Sequence, residues 1–102
     1  MAIVHVSITP IGTGSTSISP YVAACHTVLR AKTSLKWQLT PMGTIIEGEL
    51  AEILAVIQEM HEVPFAHGAL RVSTQIKIDD RRDKDATMQG KVEAVEEKMS
   101  NF

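Results

Sequence analysis

The chain has 102 residues, a formal net charge of −2 and 22% charged residues, which bounds it to one expected domain, 1–102, with room for a core without disulfide or metal. The lack of a basic excess argues against a dedicated nucleic-acid partner, and 4% aromatic residues call for an aliphatic core. No apolar run reaches the length of a membrane span and no basic, apolar leader opens the chain, so the protein is expected to be cytoplasmic with no membrane partner.

From Ala2 to Thr9, Val4, Val6 and Ile8 alternate with His5, Ser7 and Thr9. That period of two predicts a strand with one buried face, ended by Pro10. The Gly-, Ser- and Thr-rich stretch 11–17 reads as a loop. Ser19-Pro20 predicts a helix start, with Ser19 as N-cap, and Val22, Cys25 and Leu29 follow at helical spacing. Leu35, Trp37 and Leu39 then alternate with Lys36, Gln38 and Thr40, a second strand whose first set is expected in the core. Pro41-Met42-Gly43 predicts a turn in which Gly43 supplies an unusual φ, followed by a third strand, Thr44 to Glu47. Gly48 is expected to cap a helix whose apolar stripe is Leu50, Ile53, Leu54, Ile57 and Met60, ending by Val63 before Pro64. A long strand, Ala69 to Asp79, places Leu70, Val72, Ile76 and Ile78 opposite Arg71, Ser73, Gln75 and Lys77. Arginines and aspartates alternate in the turn after it, through Asp85, as in a solvated turn. Met88, Val92, Val95 and Met99 then mark a last helix. Gly90 inside that helix costs about 1 kcal/mol relative to Ala, so the helix is expected to need a docking surface.

The first six elements read βαββαβ, the ferredoxin-like α+β pattern, here with a C-terminal helix added. Right-handed crossovers put both helices on one face of an antiparallel sheet, with the first and last strands central. The other face collects polar side chains, among them His5, Ser7, Gln38, Glu47 and Lys77.

Most catalytic motifs fail on inspection. Cys25 sits among apolar residues, and its neighbour His26 points about a quarter-turn away on a helix, so a nucleophile–base pair is not expected. His61-Glu62 opens like a zinc-protease helix, but Phe65 stands where the second His is required. No metal site is expected. Gly12-Thr13-Gly14-Ser15-Thr16 lacks the Lys-Ser/Thr pair of a nucleotide loop. The acylphosphatase and RNA-recognition uses of this fold need a loop arginine or exposed strand aromatics, and neither is present. What remains is a polar sheet face. It is either solvated or covered by a subunit, or its hydroxyls and a carboxylate converge near the hairpin to hold a polar heterocycle.

The hairpin Thr40-Pro41-Met42-Gly43-Thr44-Ile45-Ile46-Glu47-Gly48 resembles the signature of the small thiamine-binding proteins related to YkoF. Ser19-Pro20-Tyr21-Val22 and Gly68-Ala69-Leu70-Arg71-Val72 resemble the first helix start and last strand of the same family. The resemblance implies a ferredoxin-like fold, assembly into dimers or tetramers, and binding of thiamine or its hydroxymethylpyrimidine moiety without a catalytic step or cofactor. Carried onto this chain, it makes Thr40, Thr44 and Glu47 polar contacts and Met42 an apolar wall. Ser7, on the neighbouring strand, joins them from its position. Strand parity sets Thr44 opposite Glu47 unless a bulge intervenes. Trp37 offers a cation–π face to a thiazolium, but its parity with Leu35 and Leu39 puts it in the core. The alternative reading is a structural or regulatory oligomeric module with no small-molecule ligand.

Overall fold

Aliphatic alternation along the strands and a helical stripe on two helices meet in one layer. Val4 and Val6 of the first strand and Ile46 of the third pack against Leu29, Ile53 and Met60 of the helices, and all six are buried. Burying each such side chain contributes about 1.5–3 kcal/mol. The computed structural model describes residues 1–84 and 87–100; Asp85 of the charged turn lies outside them. Its elements are β1 (Ala2–Ile11), α1 (Ser19–Arg30), β2 (Lys36–Thr40), β3 (Gly43–Gly48), α2 (Leu50–Ala66), β4 (Arg71–Asp80) and α3 (Met88–Met99). The strands form one antiparallel sheet in the order β2-β3-β1-β4, a ferredoxin-like arrangement in which β1 is central as expected, but β3 rather than the last strand lies beside it on the inside, because β4 pairs only with β1.

Several local expectations change. β1 does not stop at Pro10 but runs on to Ile11, with Pro10 opposite Val72 of β4. Pro is tolerated there because the side of β1 that would need its N–H has no strand partner. Ile18, not Ser19, is the N-cap of α1, and no side chain caps that end; Pro20 occupies the first turn as expected. Glu49 rather than Gly48 stands at the start of α2.

Pro64 lies inside α2, which continues to Ala66. A proline lacks the N–H that would bond the carbonyl four residues back, here that of Met60. The Cys25 thiol donates to that carbonyl instead, at 3.4 Å. One hydrogen bond thus repairs the helix and ties α1 to α2.

The β2–β3 connection is Pro41-Met42, between the paired residues Thr40 and Gly43. Gly43 has no positive φ, contrary to the sequence expectation. Glycine is required there for space: a Cβ would sit 2.5 Å from His5 Nε2 and 2.7 Å from the Val6 carbonyl oxygen.

The last helix has the docking problem its sequence implies. Thr87 caps it, accepting from the Gly90 N–H at 2.9 Å, and Lys91 pairs with Asp79 of β4. Its stripe is nonetheless open to solvent, with Val92 53%, Val95 58% and Met99 65% exposed. In the turn before it, Arg82 bonds Asp80 at 2.8 Å and holds that carboxyl below the usual carboxylate range.

Candidate functional site

α1 leaves one flank of the sheet uncovered. The space between α1 and the β2–β3 hairpin is a groove of about 690 Å³, within the range of small-molecule sites. Its walls are mainly apolar: Val22 and Ala23 from α1, Ile8 from β1, Leu39 and Trp37 from β2, and Met42 from the turn. The sequence reading put Trp37 and Leu39 in the core with Leu35. Leu35 is buried, but Trp37 is 36% and Leu39 56% exposed. Their strand face is right, yet β2 is an edge strand, and α1 meets it at His26 against Trp37 without burying Trp37 or Leu39. The space left between them makes the groove.

Polar groups enter at few points. His26 of α1 is buried, and its Nε2 lies 2.9 Å from Thr44 Oγ1. Burial lowers its pKa, which favours the neutral imidazole. With one ring proton, the pair has either Thr44 donating to Nε2 or Nε2–H donating to Thr44. The Trp37 ring meets the His26 ring edge-on, with centroids 4.9 Å apart and an interplanar angle of 68°. Arg30, in the last turn of α1, also lines the groove. Cys25 lines it too, with a thiol whose pKa is raised by burial.

The residues singled out in the sequence divide between the two faces of the sheet. Ser7, Thr40, Met42 and Thr44 line the groove. Thr40, however, has its hydroxyl engaged: it donates to the Gly43 carbonyl at 2.8 Å and accepts from the N–H groups of Gly43 and Met42 at 3.1 and 3.3 Å. One donor and two lone pairs are its whole capacity. It closes a two-residue turn made without positive φ, a turn class that otherwise splays hairpin strands. Thr44, on the helix side, has capacity left beyond His26.

Glu47 is not brought to the groove. It stands opposite Ile3 and Lys36 on the free face of the sheet, where it is 3% exposed. Its Oε1 has no hydrogen-bond partner among the described residues. Parity anticipated this separation from Thr44, and no bulge intervenes. His26 is the groove residue that the sequence reading missed. Its signal was available: the spacing of Val22, His26 and Leu29 puts His26 on the buried face of α1.

Among the described residues, no group of three or more His, Cys, Asp or Glu side chains is gathered to hold a metal ion, and no helix is long and apolar enough to cross a membrane.

The fold and the groove define a ferredoxin-like α+β domain with an apolar, sparsely polar cleft beside its central hairpin. The chain belongs to the thiamine-binding protein family: the family model described as "Thiamine-binding protein" matches residues 4–96. It is 53% identical over 98 residues to the UPF0045 protein YqgV of Bacillus subtilis, covering 93% of this chain and 94% of that one. To a UPF0045 protein of Staphylococcus xylosus it is 47% identical, covering 99% and 97%. The crystal structure of the hypothetical protein MJ1052 of Methanocaldococcus jannaschii superposes with a TM-score of 0.84 at 36% identity, covering 94% of this chain and 96% of that one.

Proposed function

We propose that this protein binds thiamine or its hydroxymethylpyrimidine moiety, without a chemical step, in the groove between α1 and the β2–β3 hairpin, and serves as a carrier, buffer or sensor in the cytoplasm. The observation that carries the reading is the groove itself, in a chain of the thiamine-binding family. An apolar cleft with a few convergent polar groups is how proteins orient small heterocycles.

The residues suit the two halves of the ligand. A neutral His26 and the spare valence of Thr44 offer a hydrogen-bonding pair to a pyrimidine edge. Trp37 offers an aromatic face to the permanent charge of a thiazolium, an interaction worth about 0.5–2 kcal/mol. Glu47, which the resemblance made a polar contact and whose carboxylate would suit that charge, stands on the other face of the sheet. The reading therefore rests on Trp37 for the cation. Cys25 does not favour a nucleophilic step, since its thiol is raised by burial and is bonded to Met60. Calorimetric titration with thiamine and with hydroxymethylpyrimidine tests the proposal: saturable heat with either ligand is expected, and no heat at millimolar concentration sinks it.

The second reading, an oligomeric module without a ligand, draws on the exposed stripe of α3 and on Ile76 and Ile78 of β4, 44% and 46% exposed. Self-association is common to both readings. Titration separates them.

A further inference from the structure

β1 is paired unequally along its two edges. Its register with β4 continues to Ile11 opposite Arg71, whereas its register with β3 ends at Val6 opposite Thr44. From residue 7 onward the β3-side edge of β1 is therefore bare.

Which backbone groups occupy that edge follows from two independent observations. The Val6 carbonyl faces β3, because a Cβ on Gly43 would lie 2.7 Å from its oxygen. In an antiparallel strand, a residue's N–H and C=O point to the same side and successive residues alternate. Val6, Ile8 and Pro10 thus face the β3 side. The presence of Pro10 within the β1–β4 ladder agrees, since a proline needs its nitrogen on the unpaired side. Ile8 is then the one residue past the end of the β1–β3 ladder, among 7–10, with both an N–H and a C=O aimed at the vacant edge. No backbone hydrogen bond joins Ile8 to the hairpin turn.

That edge opens into the groove. Ser7 and Ile8 both line it, although their side chains lie on opposite faces of the sheet, so the groove reaches the β1 backbone there. Met42 and Trp37 line it as well.

We propose that the free N–H and C=O of Ile8 are the heterocycle-recognition element of the groove, taking a ligand that carries a ring-nitrogen acceptor beside an exocyclic amino donor. An aminopyrimidine edge has that pairing, and it completes the ladder where β3 stops. The inference rests on the proposed function for the choice of ligand and adds the atoms that recognise it. A backbone pair reads the donor–acceptor pattern of the ring and tolerates changes elsewhere on the ligand.

The test uses the full-length ¹⁵N-labelled protein and hydroxymethylpyrimidine as probe. The Ile8 amide is expected to exchange freely with solvent in the unbound protein. In the complex it is expected to shift downfield and exchange at least tenfold more slowly. Ile8→Pro removes that N–H on an edge that already accepts Pro10, and because Ile8 also packs against the core, Ile8→Ala serves as the side-chain control; about a tenfold loss of affinity relative to Ile8→Ala is expected. An Ile8 amide that stays unprotected in a saturated complex overturns the inference, as does a folded Ile8→Pro variant that binds like Ile8→Ala. If Ile8→Pro does not fold, the exchange measurement on the native protein decides alone. Failure of the native protein to bind the probe or thiamine instead removes the functional reading on which the inference stands.

Discussion

His26 shows how one buried side chain links stability to pH. Burial lowers its pKa in the folded protein, so the unfolded chain takes up its proton at a higher pH than the folded chain does. Stability is unaffected by this residue above the ordinary imidazole range near 6.5. It falls as pH drops through that value toward the lowered folded pKa. His26→Gln is expected to remove that part of the acid slope in denaturant titrations at pH 5 and 7.5; an unchanged slope would take His26 out of the account. Glu47 supplies the complementary test. Because it lies across the sheet from the groove, Glu47→Gln is expected to leave thiamine affinity within about twofold, a change too small for a lost hydrogen bond to a charged group. A tenfold loss would move the site to the free sheet face. Such placements were half legible. Strand parity separated Thr44 from Glu47, but nothing in the sequence reveals that the Thr40 hydroxyl is spent within its own turn.

At the scale of elements, periodicity located all seven, and two departures in their bounds come from prolines. Both Pro10 and Pro64 were expected to break an element, and both are absorbed because the missing N–H is either not needed or replaced. At Pro10 the edge is unpaired. At Pro64 the Cys25 thiol supplies the missing hydrogen bond. Sequence separation hides the second case, since Cys25 and Met60 meet only through packing of α1 on α2. Cys25→Ala is expected to cost about 1–3 kcal/mol by stranding the Met60 carbonyl. Part of that cost should return in the Cys25→Ala, Pro64→Ala double variant, where the helix recovers its own N–H. Additive losses in the double-mutant cycle would contradict the repair. The hairpin poses the same kind of problem. Gly43 was expected to serve a φ value and instead serves a close approach, so Gly43→Ala is expected to destabilise by about 1–3 kcal/mol through the clash with His5 and Val6.

Over the whole molecule, the order βαββαβ was enough to predict an antiparallel ferredoxin-like sheet, but not its strand order: β4, expected at the centre, is an edge strand and β3 takes the inner place. The groove was not legible, because it depends on how far α1 reaches over the edge strand β2. The open stripe of α3 is the docking need its sequence implied, and with Ile76 and Ile78 it leaves a surface that self-association would cover. Light scattering is expected to find a dimer or larger assembly, and Val92→Glu with Val95→Glu to reduce it toward monomer. A native monomer would contradict that expectation.

The central claim, a thiamine-moiety site between α1 and the hairpin, has a built-in reporter. Trp37 is the single tryptophan of the chain, and it lines the groove. Titrating the protein with thiamine while following Trp37 emission is expected to give a saturable change whose midpoint matches the calorimetric affinity. Binding by calorimetry with no change in Trp37 emission would place the ligand elsewhere and contradict the account.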